Sequence, residues 1–129
     1  MTTYQEQAEE LLRAMKLLME DIASYKSAVA LLAVHSAIAF NDAVSERLTG
    51  IAHKGQDHST ASRKTRSACV KNKIDTSGIK HLDYLLSKKN EYSYSGIVGE
   101  KKSQDAALNA QRFASWAYRT VLQRESVNA

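Results

Sequence analysis

The sequence contains no proline, only 5 glycines and a single cysteine among its 129 residues. With so few residues that interrupt helices, the chain favours an all-α fold. One cysteine, Cys69, excludes an internal disulfide, which is typical of a cytoplasmic protein. No stretch approaches 18 consecutive apolar residues, and the first residues, MTTYQEQAEE, are polar and acidic. We therefore expect neither a membrane-spanning segment nor a signal peptide.

Charge is distributed unevenly along what we expect to be one domain over residues 1–129. Residues 1–52 carry a net charge of −3, whereas residues 53–104 carry +6. A basic middle is compatible with RNA or a nucleotide as a partner, because both present phosphate charge. The alternative is a lysine-rich surface that is merely solvated.

The longest apolar-periodic run extends from Lys26 to Leu48 and predicts the central helix. Its apolar side chains form two stripes on opposite sides, so we expect neighbouring helices on both. The first stripe is Ala28, Leu31, Leu32, His35, Ile38, Ala39 and Asp42, and the second is Ala30, Val34, Ala37 and Phe40. Other helices are predicted at about 3–23, 59–70, 78–94 and 103–124. The sum is an up-and-down four-helix bundle with an additional short, basic helix.

Motifs of the common enzyme classes are missing from the sequence. It has no glycine-rich phosphate loop, no Cys-x-x-Cys, no His-Glu-x-x-His and no nucleophile elbow, so we predict no metal and no cofactor. A polar cluster follows the central helix and contains Arg47, His53, Asp57 and His58. These side chains could bind zinc or transfer protons; the alternative is that they make turn and helix-capping hydrogen bonds.

Two further polar groups are candidates for a site. His35 lies on an apolar stripe and is predicted to be a core histidine rather than a ligand. The end of the fourth predicted helix carries Lys88, Lys89, Asn90, Tyr92 and Tyr94. Lysines can hold phosphate and tyrosines can stack on bases. Alternatively, the lysines complement the helix dipole and the tyrosines cover the core.

The sequence resembles the HEPN superfamily, the higher eukaryotes and prokaryotes nucleotide-binding domain. The resemblance rests on LLAVHSAIAFNDAV, on Gly55-Gln56-Asp57-His58, on the segment Leu85–Tyr94 and on an alanine-rich last helix with Phe113 and Trp116. It covers roughly residues 5–123. It implies a helical bundle that forms homodimers, and many members are RNases, toxins or RNA-binding proteins.

The family's catalytic signature is an arginine followed four to six residues later by a histidine. In the matching segment, Lys88 or Lys89 stands in place of the arginine and Ser93 or Tyr94 in place of the histidine. We therefore expect a non-enzymatic binding module for RNA, a nucleotide or a protein partner. One alternative is a metal-independent endoribonuclease that uses Arg47 and His53, which have the signature's spacing. Another is a structural or oligomerisation protein without a ligand.

Overall fold

The computed structural model describes residues 3–52 and 57–122, and within these ranges it contains helices and no strand. This confirms the predicted all-α class. The helices are α1 (Thr3–Met19), α2 (Lys26–Thr49), α3 (His58–Lys71), α4 (Ile79–Tyr94) and α5 (Glu100–Ala117), and α5 continues into a π-helical turn at Tyr118–Leu122.

Helix α2 lies in the middle of the bundle and contacts α1, α3, α4 and α5. The stripe formed by Ala30, Val34, Ala37 and Phe40 is fully buried, at 1% exposure or less. The other predicted stripe is only partly covered. The helix ends where expected, because Gly50 adopts the left-handed conformation (φ +80°) that favours glycine.

Helices α1, α2, α4 and α5 form the bundle, and α3 packs at its edge on α2 and α4. Helices α4 and α5 are antiparallel, because the start of α4 (His81) bonds Asn109 while its end (Glu91) pairs with Lys102. Small side chains let α5 approach α2 closely. Helix α5 has five buried alanines, at positions 106, 107, 110, 114 and 117. The architecture therefore confirms the predicted bundle with an extra helix.

Some helix boundaries differ from the prediction because local hydrogen bonding changes there. Helix α1 ends at Met19, after which the backbone N–H of Asp21 bonds the carbonyl of Leu18 in a tighter turn. Helix α5 begins earlier than expected, at Glu100, and the carbonyl of the preceding Gly99 accepts from Ser103.

Helix α2 is long and apolar enough to cross a membrane by length and composition, with a mean hydropathy of 1.5 in its most apolar 18-residue window. Within the fold, 61% of that window is buried. The central helix of a helical bundle is also apolar and mostly buried, because other helices pack against most of its sides.

Candidate functional site

The C-terminal half of α4 carries the lysine- and tyrosine-rich segment. The ammonium of Lys88 lies 3.9 Å from a carboxylate oxygen of Glu91 and 5.9 Å from the centre of the Tyr84 ring. Asn90 is exposed and Lys89 is partly exposed. These side chains therefore present polar, positively charged groups along one helix.

The two tyrosines at the end of α4 have different surroundings. Tyr92 is 2% exposed and belongs to the core, whereas Tyr94 is 80% exposed. Burial, with Tyr84 as the nearest polar neighbour, raises the pKa of Tyr92 well above its ordinary value. Residues two apart on a helix point in nearly opposite directions, so they cannot share a face. Tyr94 is consequently the tyrosine whose ring is available for stacking.

His35 of α2 is exposed, so the prediction of a core histidine is wrong. His35 lies on the side of α2 that α4 and the start of α3 approach, and neither of these helices covers its side chain. Partial burial holds the pKa of His35 below its usual value, and the positive charges of Lys89 and His58 lower it further. Three helices therefore bring His35, His58 and Lys89 close together. In the sequence, these residues lie in three separate segments.

Asp57 occupies the cap position before α3. Its carboxylate accepts hydrogen bonds from the hydroxyls of Ser59 (2.9 Å) and Thr60 (3.2 Å), and the Ser59 bond is the main reason that its pKa is lowered. These are local hydrogen bonds between side chains at the start of α3, and the carboxylate makes no capping hydrogen bond to the helix backbone. Among residues 3–52 and 57–122, no three His, Cys, Asp or Glu side chains are grouped closely enough to hold a metal.

Arg47 lies exposed in the last turn of α2. His53, its predicted catalytic partner, is outside the described residues. The structure therefore gives no distance between the side chains of Arg47 and His53.

Positive charge is in surplus on the side of the bundle formed by α3 and α4. Apart from Lys80 at the start of α4, residues 57–94 contain seven lysines and arginines and four carboxylates. Each carboxylate is already bound within the protein: Asp57 as above, Asp75 by Ser77, Asp83 by Ser62 and Arg66, and Glu91 by Lys88 and Lys102. Two of these lysines, Lys64 and Lys71, line a groove of about 730 Å³ between the ends of α2 and α3.

A second groove, of about 410 Å³, lies between the start of α4 and the second half of α5. Its walls include Lys80, His81, Arg112 and Arg119. The sequence analysis did not identify it. The His81 ring contacts Asn109, 28 residues away, so no local spacing indicates the pairing.

Comparison with known proteins adds no relative: no family model, no curated protein and no solved structure matches this chain.

Proposed function

We propose that this chain is a non-enzymatic helical module that binds single-stranded RNA along the basic side of α3 and the C-terminal half of α4. The main support is the surplus of cations over carboxylates on that side, with each carboxylate bound internally. Cations without neighbouring free carboxylates attract phosphate, and release of the counterions of RNA adds to the affinity.

Tyr94 gives this surface a feature that a merely solvated lysine-rich face does not need. Its ring is 80% exposed at the end of α4, beyond Lys88 and Lys89. An exposed aromatic ring beside cations is the arrangement that binds single strands, because bases stack on the ring while lysines follow the backbone. Lys89 extends the cationic surface towards α2, where its charge contributes to the lowered pKa of His35.

The resemblance to the HEPN superfamily supports the same reading, and we propose a HEPN-like homodimer that works in the cytoplasm. The acidic first helix and the basic middle give two copies complementary surfaces. Light scattering coupled to size-exclusion chromatography measures the mass in solution and therefore tests for the homodimer. A mass of one chain at micromolar concentration contradicts the dimer without affecting RNA binding.

Fluorescence anisotropy with a labelled single-stranded RNA of about 20 nucleotides tests the RNA proposal. Affinity should fall steeply between 50 and 200 mM salt, and Lys89→Gln should reduce the slope of log affinity against log salt by roughly one. The matched control is Lys16→Gln, which removes the same charge from exposed α1. Absence of binding at low salt, or equal effects of the two variants, contradicts the proposal.

Tyr94 provides the second arm of the experiment. Tyr94→Ala should weaken binding by about fivefold to a hundredfold, as expected for loss of one stacked base, whereas Tyr94→Phe should keep most of the affinity. The same RNA incubated with EDTA tests the enzymatic alternative. Cleavage that disappears in His53→Ala would favour the endoribonuclease and overturn the non-enzymatic reading.

A further inference from the structure

The groove between α4 and α5 is separate from the proposed RNA surface. It lies at the start of α4, around Gly78 and Lys80, whereas the lysine- and tyrosine-rich segment lies at the end of that helix. Its volume of about 410 Å³ is within the range of small-molecule sites, roughly 300–1,000 Å³. Its floor is the buried Trp116, and Leu108, which is 45% exposed, forms part of one wall.

Cations line this groove and carboxylates do not. Lys80, Arg112 and Arg119 all contribute to its walls. Among residues 3–52 and 57–122, Lys80 and Arg112 form neither an ion pair nor a side-chain hydrogen bond. Arg119 faces Asp75, whose carboxylate is bound by the hydroxyl and backbone N–H of Ser77. The groove therefore concentrates positive charge that the described part of the protein does not neutralise.

His81 is held in a defined orientation at the same place. The side-chain amide of Asn109 donates to the carbonyl of Asp105 at 2.9 Å, which leaves its oxygen to accept from Nδ1–H of His81 at 2.9 Å. The tautomer follows from this pairing, and Nε2 is the ring nitrogen that remains for a ligand.

We propose that this groove binds the phosphate group of a small organic phosphate. The guanidinium of Arg112 can hold two oxygens at once, and Lys80 and Arg119 neutralise the remaining charge. The imidazolium form of His81 supplies a further hydrogen bond, because Nε2 then carries a hydrogen that can be donated to a phosphate oxygen while Nδ1–H stays bonded to Asn109. Three cations suit a doubly charged phosphate better than a single carboxylate, and Leu108 offers an apolar contact to the ester group.

Trp116 makes the test direct, because it is the only tryptophan in the chain and its indole N–H donates to the carbonyl of Asp75 beside the groove. Inorganic phosphate and phenyl phosphate are titrated into ¹⁵N-labelled protein at low salt. Both should shift the indole signal, and isothermal titration calorimetry gives the affinities. Tighter binding of phenyl phosphate indicates that the ester group is recognised; equal binding indicates that phosphate alone is recognised.

Two variants with matched controls decide the outcome. Lys80→Gln/Arg112→Gln should weaken both ligands by about tenfold or more, since each charged hydrogen bond corresponds to roughly a tenfold change. Arg13→Gln/Lys16→Gln removes the same charge from α1 and should not. Ser115→Glu places a carboxylate one turn from Arg112 and Arg119 and should block binding, whereas Gln104→Glu on the same helix should not.

Three results would overturn the proposal. One is the absence of any shift of the indole signal with either ligand at low salt. Another is equal loss of affinity in the groove variants and their controls, which indicates non-specific attraction. The last is a groove variant that changes the oligomeric mass without changing phosphate affinity, which identifies the groove as a contact between chains. Lys89→Gln should not affect phosphate binding here, so this proposal and the RNA proposal can fail separately.

Discussion

The indole nitrogen of Trp116 donates a hydrogen bond of 2.9 Å to the backbone carbonyl of Asp75, which ties α5 to the segment before α4. Phe113 stacks on the same indole, with ring centres 5.4 Å apart. Gly78 packs directly against the Trp116 side chain. A Cβ at position 78 would lie 2.1 Å from Cγ of Trp116, closer than any van der Waals contact.

Gly78→Ala should therefore destabilise the protein by roughly 1–3 kcal/mol through overpacking. The backbone at Gly78 is right-handed helical (φ −82°, ψ −13°), so alanine fits the conformation and the cost is steric. Urea unfolding measures the change. The matched control is Gly99→Ala, whose added Cβ meets nothing within 4 Å and which should stay within about 0.5 kcal/mol of the parent. Equal stability of the two variants would contradict the contact.

Ser27→Ala should cost about 1 kcal/mol. The hydroxyl oxygen of Ser27 accepts a 3.1 Å bond from the backbone N–H of Val98, which is 3% exposed, so the variant leaves a buried donor without its partner. Hydrogen exchange should show faster exchange of the Val98 amide. Ser24→Ala, at an exposed position before α2, is the control and should change neither quantity. Unchanged protection of Val98 in Ser27→Ala would refute the prediction.

Cys69 should be nearly unreactive in the folded protein. The side chain is fully buried, and burial raises the pKa of its thiol from 9.0 to about 11. This rise in the pKa lowers the thiolate fraction near neutral pH by about a hundredfold. Burial of the sulfur also limits the access of a reagent to it. Reaction with Ellman's reagent at pH 8 should be slow in buffer and rapid in guanidinium chloride. Cys69→Ser is the control for reagent breakdown. Rapid reaction of the folded protein contradicts the buried position.

Lys89→Gln should raise the pKa of His35 towards its ordinary value. Partial burial is the larger cause of the lowered pKa, and the charge of Lys89 is the next. An NMR titration of the imidazole Hε1 signal measures the shift, and Lys16→Gln on α1 should leave it unchanged. If removing the Lys89 charge does not move the His35 titration, the two side chains are not neighbours.

The lowered pKa of His35 also predicts the direction of a stability change. As pH falls below 6.5, the ordinary pKa of a histidine side chain, the unfolded chain binds the proton before the folded chain does. His35 therefore destabilises the fold progressively between pH 6.5 and its own lower pKa, and not above pH 6.5. Below pH 6.5 the free energy of unfolding of the parent should fall more steeply with decreasing pH than that of His35→Gln, and an identical pH dependence of the two would contradict the prediction.

Much of the fold could be predicted from local patterns. The periodicity of α2, its termination at Gly50 and the alanine face of α5 are properties of short segments, and each is confirmed. Ser27 shows where such reasoning stops. A serine at the start of a helix predicts a cap, but its hydroxyl instead bonds Val98, 71 residues away. At Ser27 a tertiary hydrogen bond therefore replaces the local capping bond, and no residue close to it in the sequence indicates that Val98 is the partner.

The candidate site could be predicted only in part, for the same reason. Tyr92 continues the apolar stripe of α4, so its burial agrees with the pattern, and Tyr94 is exposed by its angle on the helix. The apolar stripe of α2 predicts a buried His35, but its side chain is exposed in the fold. The pairing of His81 with Asn109 depends on how α4 packs on α5, which the sequence alone does not specify.

The internal bonding of the carboxylates on the α3–α4 side has a consequence for how the surface behaves in a cell. Hydroxyl groups hold the pKa values of Asp57 and Asp75 low, and Lys102 does the same for Glu91. These acids stay ionised through mild acidity. Acidification therefore changes the charge of this face through His35, whose protonation adds positive charge and strengthens its attraction for anions.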